Sequence, residues 1–455
     1  MRIHPSDNVE VRNDGQKYAI VPIKAGENVI KYGFPIGHAK TDIAVGDQVS
    51  PKNLASNLAG LGDWVYAPYT APETDKKSGT FMGYRRKNGD VGIRNELWIV
   101  PTVGCSNGVA KMLAEKTGAK ALTHPYGCSQ LGDDMKVTQK ILSGLIRHPN
   151  AGGVLVLGLG CENNGLDALR KVLGEDYDHG RVRFLNLQDC NDEIAEGTAI
   201  LDELKALMAT DKREPLPISS LRIAVKCGGS DGYSGITANP LVGRVSDKLI
   251  SMGGSCVLTE VPEMFGAEHL LMARAESEEV FNNIVSLIND FKEYYERHNQ
   301  VIYENPSPGN KKGGITTLEE KSLGCVQKAG SSAVVDVLDY GDTLRKNGLS
   351  LLNGPGNDIV AITNLFAAGV HIILFTTGRG TPVGSGVPTV KIATNNSLAT
   401  RKSAWIDFDA SPTPNGKELT DELFDYITDV ANGKETNNEI HGYKEISIFK
   451  DGVTL

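Results

Sequence analysis

Cysteine is scarce in this chain, long apolar runs are missing, and each gap excludes a class of protein. Seven cysteines spread thinly over 455 residues do not make a disulfide framework and suit a reducing compartment. The longest apolar stretches, Gly153–Gly160 and Val370–Phe375, fall far short of the ~20 residues that span a bilayer. The start, Met1-Arg2-Ile3-His4-Pro5, has no apolar segment ahead of a small-residue cleavage site, so no signal peptide is expected. A cytoplasmic protein with no membrane partner is the expectation. An excess of positive charge is also missing: 47 Lys and Arg stand against 56 Asp and Glu, a net charge of −9. That balance argues against nucleic acid as a partner. An anionic ligand would need a local basic pocket.

Several catalytic codes are absent too. Gly378-Arg379-Gly380 and Gly158-Leu159-Gly160 each begin a dinucleotide fingerprint but lack its third glycine. No GxxxxGK[ST], HExxH or CxxC occurs, which leaves P-loop, zincin and thioredoxin readings without support.

What is abundant is glycine, 51 of 455 or about 11%, against roughly 7% in average proteins. The glycines gather after short β-branched runs and before helical patterns. Leu97–Val103 runs into Gly104-Cys105-Ser106-Asn107-Gly108, and Val154–Leu159 into Gly160-Cys161-Glu162. Leu221–Val225 is followed by Cys227-Gly228-Gly229-Ser230-Asp231, Val257–Val261 by Pro262-Glu263, and His371–Thr376 by Thr377-Gly378-Arg379. Short buried strands alternating with longer helical patterns predict α/β units with largely parallel sheets. In such sheets ligands bind beyond the carboxyl ends of the strands. Glycine there lets backbone N–H groups approach an anion.

Composition divides the chain. Residues 1–58 lack helical periodicity and predict a small β domain with strands at Tyr18–Ile23, Val29–Tyr32 and Asp42–Val49. Residues 59–82 read as a linker. Two α/β domains are expected at 83–215 and 216–455, divided by the polar stretch Thr210–Ser219. Phe281–Arg297 and Leu419–Val430 predict amphipathic helices.

Five of the seven cysteines abut glycine: Cys105, Cys128, Cys161, Cys227 and Cys325. Cys190 and Cys256 read as small core residues. An iron–sulfur cluster on the glycine-flanked set is one reading, against which stands the lack of ferredoxin-type spacing. His124-Pro125-Tyr126-Gly127-Cys128-Ser129-Gln130 combines imidazole, thiol and amide in one loop, and His124 is a candidate base or metal ligand.

At these residues the chain resembles the altronate/galactarate (sugar-acid) dehydratase family. The likeness rests on Gly83–Asn95, His124–Asp134, His148–Asn164, Cys227–Pro240, Leu258–Leu271, Tyr303–Lys321, Phe375–Pro382 and Val387–Thr394. It implies an N-terminal β domain of the SAF type, two α/β domains, and a homodimer. It further implies an Fe(2+)- or Mn(2+)-assisted dehydration of an aldonic or aldaric acid, D-altronate being the first candidate. One departure is visible. Where the family carries Gly-His and His-x-His-Asn in its first domain, this chain has Gly15-Gln16 and Ser50-Pro51-Lys52-Asn53, and His38 is the histidine left in the middle of that domain.

Dehydration needs a base for the proton α to the carboxylate, positive charge on the enediolate, and an acid for the departing hydroxyl. Arg379 can fork a carboxylate, and Lys321 or His124 could be the base, the lysine only with a lowered pKa. Ser230, Asp231, Thr237, Asn310, Lys312 and Thr377 are the expected contacts to a polyhydroxy substrate. His124, Glu162 and Glu260 are the expected metal ligands, with Cys161 and Glu263 in reserve. Two other readings are a related lyase on galactarate or a sulfonated hydroxy acid, and a non-catalytic sugar-acid-binding homologue.

Overall fold

A computed structural model describes residues 1–58, 60–70, 78–413 and 418–455. Residue 59 and residues 71–77 of the expected linker lie outside the described set.

The first domain is two small antiparallel sheets. One orders Val9–Val11, Lys17–Ala19 and Gln48–Val49; the other orders Asn28–Lys31, Phe34–Ala39 and Leu54–Ala55. The expected strand Asp42–Val49 shrinks to its last two residues. Gly46, at φ 86°, turns the chain in its middle, a conformation that favours glycine. Val9, Val11, Val29, Ile36 and Val49 point inward and are buried.

The strand Thr80–Arg85 begins inside the expected linker and pairs antiparallel with Glu214–Pro217. Pro215 and Pro217 are tolerated because that strand lies on the edge of its sheet. Between these two strands sits a parallel four-stranded sheet in the order Lys120–Ala121, Glu96–Pro101, Ala151–Gly158, Val182–Asn186.

The last domain holds a parallel seven-stranded sheet: Val334–Leu338, Gly348–Leu352, Ser255–Leu258, Arg222–Cys227, Ile372–Thr377, Thr389–Ala393, Phe408–Asp409. Its first strand in sequence, Arg222–Cys227, lies in the middle. The helix Ala238–Ser251 carries the chain to Ser255–Leu258 on one side, and the helix Asp358–Ala367 delivers Ile372–Thr377 on the other. Loops leaving Cys227 and Thr377 therefore diverge, and this topological switch point is where a ligand crevice opens.

The two α/β sheets share a core. Trp98 packs edge-on to Phe366 with ring centroids 5.2 Å apart. His148 Nε2 donates to the Val370 carbonyl at 3.0 Å, and Leu142, Leu145, Ile362 and Leu365 fill the same cluster. The first domain is fastened to the third by charge: Lys17 and Lys31 each reach Glu320 at 2.8 Å, all three fully buried. No helix of the described residues is long and apolar enough to cross a membrane.

Candidate active site

Three segments meet at the switch point. The central strand ends in Cys227. A single helical turn, Val261–Glu263, follows the next strand and presents Glu263. The helix Leu318–Cys325, capped by the Thr317 hydroxyl accepting from the Glu320 N–H, supplies Lys321 and Cys325, four residues apart and so on one face. Cys227 Sγ and Cys325 Sγ are 3.4 Å apart and lie 3.0 and 3.1 Å from Glu263 Oε2. Lys321 Nζ is 2.7 Å from Glu263 Oε1 and donates to Asn305 Oδ1 at 3.0 Å and Asn310 Oδ1 at 3.3 Å.

Beneath them lies a second layer of charge. Glu260 pairs with Lys226 and, at 3.2 Å, with Lys328, while Lys226 also reaches Asp358 at 2.8 Å. Glu260 accepts the backbone N–H of Cys227 at 3.0 Å and holds a left-handed φ of 72°, a conformation that costs a non-glycine residue about 1–3 kcal/mol. Such strain clusters where surrounding contacts over-determine it, as they do here.

Burial alone would raise the Glu263 carboxyl, yet Lys321, Lys226 and Lys328 outweigh it and hold the group well below its usual range. For Lys321, burial pulls the pKa down, and the Glu263 carboxylate overcomes it and raises it above the ordinary value. That is opposite to the lowering a lysine base would need, so Lys321 sits here as an ammonium.

Cys227, Glu263, Asn310 and Lys321 line a cleft of about 760 Å³ that Tyr294, His298, Asp358 and Phe449 help to wall. His298 hydrogen-bonds Asp451, so the chain's last turn of sequence folds back over the cleft. A second cleft of about 570 Å³ takes Asp231, Thr237 and Arg379, and Asn13, Asp14 and Gly15 of the first domain complete it. Asp231, its carboxyl raised by burial despite bonds from Thr394 and Asn395, organises that wall by accepting at 2.9 Å from each. Gln16, at the position of the family's histidine, reaches Lys312 O at 3.5 Å beside it.

The other expected residues are placed apart from the thiol pair. His124 is buried beside the four-stranded sheet, with Nε2 on Pro101 O at 2.8 Å and Nδ1 accepting from Tyr126 at 3.2 Å. Both ring nitrogens are thus engaged, and burial lowers the pKa, so the ring is neutral. Glu162 accepts from Thr102 Oγ1 at 2.6 Å and from the N–H groups of Leu159 and Gly160 at 3.0 and 2.7 Å. Burial raises its carboxyl, but those bonds win and keep it low. The set His124, Glu162 and Glu260 is not brought together. Among the described residues, the group of three ligand side chains with donor atoms within 4.8 Å of one another is Cys227, Glu263 and Cys325. Ser230 is buried and gives its carbonyl to Asn310 Nδ2 at 2.8 Å, Thr377 accepts from the Gly380 N–H at 2.8 Å, and Lys312 is exposed.

Two thiols and a carboxylate are a donor set that fits a borderline-soft divalent ion.

Residues 218–454 match the family described as D-galactarate/Altronate dehydratase, C-terminal. Residues 83–209 match D-galactarate dehydratase/Altronate hydrolase, second domain, and residues 6–57 match the Altronate/galactarate dehydratase SAF domain. The chain belongs to the altronate/galactarate dehydratase family. Within the family, altronate dehydratase of Bacillus subtilis is 53% identical over 98% of this chain and 94% of its own length. Altronate dehydratase of Escherichia coli is 54% identical over 99% and 94%, and galactarate dehydratase (L-threo-forming) of E. coli 34% over 92% and 86%. The chain is accordingly a hydro-lyase of the sugar-acid dehydratase type.

Sequence reasoning placed Cys227 and Cys325 only in the glycine-flanked set of the iron–sulfur reading, not among the expected metal ligands, and missed His298 altogether. The thiols had one usable signal, the i, i+4 spacing of Lys321 and Cys325 on a helix next to a strand-end cysteine. His298 had none, since its partner Asp451 is 153 residues away.

Proposed function

We propose that this chain dehydrates a six-carbon aldonate, D-altronate first among them, to 2-keto-3-deoxy-D-gluconate and water in the larger cleft, with iron(II) on Cys227, Glu263 and Cys325. The observation that carries the reading is the Cys227–Glu263–Cys325 group beside the Lys321 ammonium at the switch point. The identity of 53–54% to altronate dehydratases over nearly the whole chain supports the substrate.

When bound, the ion supplies Lewis acidity toward the substrate's carboxylate or hydroxyl oxygens. Lys321, kept charged by Glu263, offers the carboxylate an ammonium that strengthens its hold as negative charge grows on the enediolate. Asn305 and Asn310 fix the direction of that ammonium. His298, held by its hydrogen bond to Asp451 in the wall of the cleft, is the imidazole available there as a general base. It takes the C2 proton, the C3–O bond breaks, the departing hydroxyl leaves as water with a returned proton, and the enol becomes the ketone. Tyr294 and Phe449 keep bulk water from the cleft. Arg379 in the neighbouring cleft steers anions inward. A cytoplasmic homodimer completes the reading.

The experiment is an anaerobic assay of 2-keto-3-deoxy product from altronate, galactarate and a sulfonated hydroxy acid, with iron(II) or manganese added. Altronate with iron(II) is expected to turn over fastest, and Lys321→Met to lose about a hundredfold or more, the scale of one charge-stabilising donor. Undiminished turnover by Lys321→Met would remove the cleft from the mechanism, and binding of every acid without turnover would favour the non-catalytic homologue.

A further inference from the structure

The second domain carries a cysteine at the carboxyl end of each of three adjacent parallel strands. Cys128 follows Lys120–Ala121, Cys105 follows Glu96–Pro101, and Cys161 follows Ala151–Gly158. All three are free and exposed. Each is preceded by a glycine at which its loop presses on a neighbour. A Cβ on Gly104 would lie 3.0 Å from the Pro125 carbonyl, one on Gly127 2.0 Å from Thr102 O, and one on Gly160 2.7 Å from Gln188 Oε1.

Hydrogen bonds tie the loops together: Gly104 N to Tyr126 O at 2.8 Å, Asn164 N to Gly127 O at 3.0 Å, and Ser129 N to Asn163 Oδ1 at 3.0 Å. Under the thiols lies a buried polar floor. His124 and Glu162 belong to it through the bonds given above. Asn107 Nδ2 donates to His124 O at 2.8 Å, Asn164 Nδ2 to Thr102 O at 3.0 Å, and Gly127 N to Gln130 Oε1 at 3.0 Å. Gln130 Nε2 and Asn164 Oδ1, both buried, have no hydrogen-bond partner among the described residues. So much buried polarity is costly as a foundation for mere solvent-facing thiols.

We propose that Cys105, Cys128 and Cys161 together hold a [4Fe–4S] cluster. Three thiolates suit three irons of a cube and leave the fourth to water or another small oxygen ligand. The sulfurs do not all fall within 4.8 Å of one another, as ligands of one ion would; a cube spreads its thiolates over separate irons. Gln188 Nε2, 3.6 Å from Cys161 Sγ, supplies an N–H···S bond of the kind that tunes cluster potential. Cys190, at the fourth strand, is turned away, its Sγ donating to Asn186 O at 3.2 Å. Ferredoxin spacing is absent because the ligands come from three strand ends, gathered by the fold. His124 and Glu162 are positioning residues here.

The site is separate from the cleft, and sulfide distinguishes the two. Protein purified without oxygen, or reconstituted with iron(II) and sulfide, is expected to hold about four acid-labile sulfides per chain. Broad visible absorption and, after dithionite reduction, an electron paramagnetic resonance signal should accompany them. Cys128→Ser and Cys161→Ser should lose sulfide and absorption with unchanged circular dichroism, whereas Cys190→Ser and Glu263→Gln keep both. Wild-type protein that takes up no sulfide on reconstitution would overturn the proposal. So would a lone zinc ion on these thiols, or full sulfide in the triple Cys105→Ser, Cys128→Ser, Cys161→Ser variant.

Discussion

Glu260 shows what a single buried carboxylate does at this site. It is the shared partner of Lys226 and Lys328 and accepts the Cys227 N–H, so its removal leaves two buried ammonium groups short of a counter-charge. Glu260→Gln is expected to destabilise the chain by about 3–5 kcal/mol, read from urea unfolding. A variant as stable as the parent would show that the two lysines find other partners. Cys227 and Cys325 invite a second experiment. Their sulfurs are 3.4 Å apart, so hydrogen peroxide acting on protein stripped of metal should couple them into a disulfide, itself being reduced to water. The two free thiols disappear together in a thiol titration, dithiothreitol restores them, and Cys325→Ser abolishes the paired loss. At this scale the sequence was legible in kind more than in place. Glycine-flanked cysteines, Lys321 and Asn310 were recognisable as chemistry. Which of them touch depends on elements as far as 98 residues apart.

Among the elements, the seam between the two parallel sheets has a pH signature. His148 is fully buried, and burial, more than its bond to Val370 O, sets its pKa, lowering it from 6.5 to about 3. His371, buried nearby, is also pushed well below its ordinary value. Both fold as neutral rings, so the unfolded chain binds protons that the folded one refuses. Their contribution is complete above pH 6.5 and falls as pH drops toward 3. Between pH 7 and 5, His148 alone should cost about 2 kcal/mol, measurable as a lower urea midpoint that His148→Gln does not show. A pH-independent midpoint would refute the neutral seam. Helices and parallel strands were readable from periodicity: Phe281–Arg297 lies within the observed Glu278–Arg297, and Leu419–Val430 nearly coincides with Thr420–Ala431. Thr80–Arg85 was not, because its partner Glu214–Pro217 is a proline-bearing edge strand whose paired residues lie 131 to 137 positions away.

For the whole molecule, the joint between the first domain and the third rests on Glu320. Burial works against its charge, yet Lys17 and Lys31 hold its carboxyl at about 2, down from 4.5. The lowered pKa means that this stabilisation is present above pH 4.5 and lost as pH falls toward 2. At neutral pH, Glu320→Gln should loosen the first domain, increasing proteolytic release of residues 1–58 while the α/β pair stays folded. Equal protection in parent and variant would show that apolar contacts suffice. Because Asn13, Asp14 and Gly15 wall the smaller cleft beside Arg379, the same variant should also slow the capture of anions by that arginine.

The shared core around Trp98, His148 and Phe366 has a practical consequence for dissection of the gene. A segment cut at residue 216 would expose Phe366, Ile362 and Leu365 to water on one piece and Trp98, Leu142 and Leu145 on the other. Neither half is then a portable module: each should aggregate when made alone, and co-production from two messages should recover soluble, paired fragments.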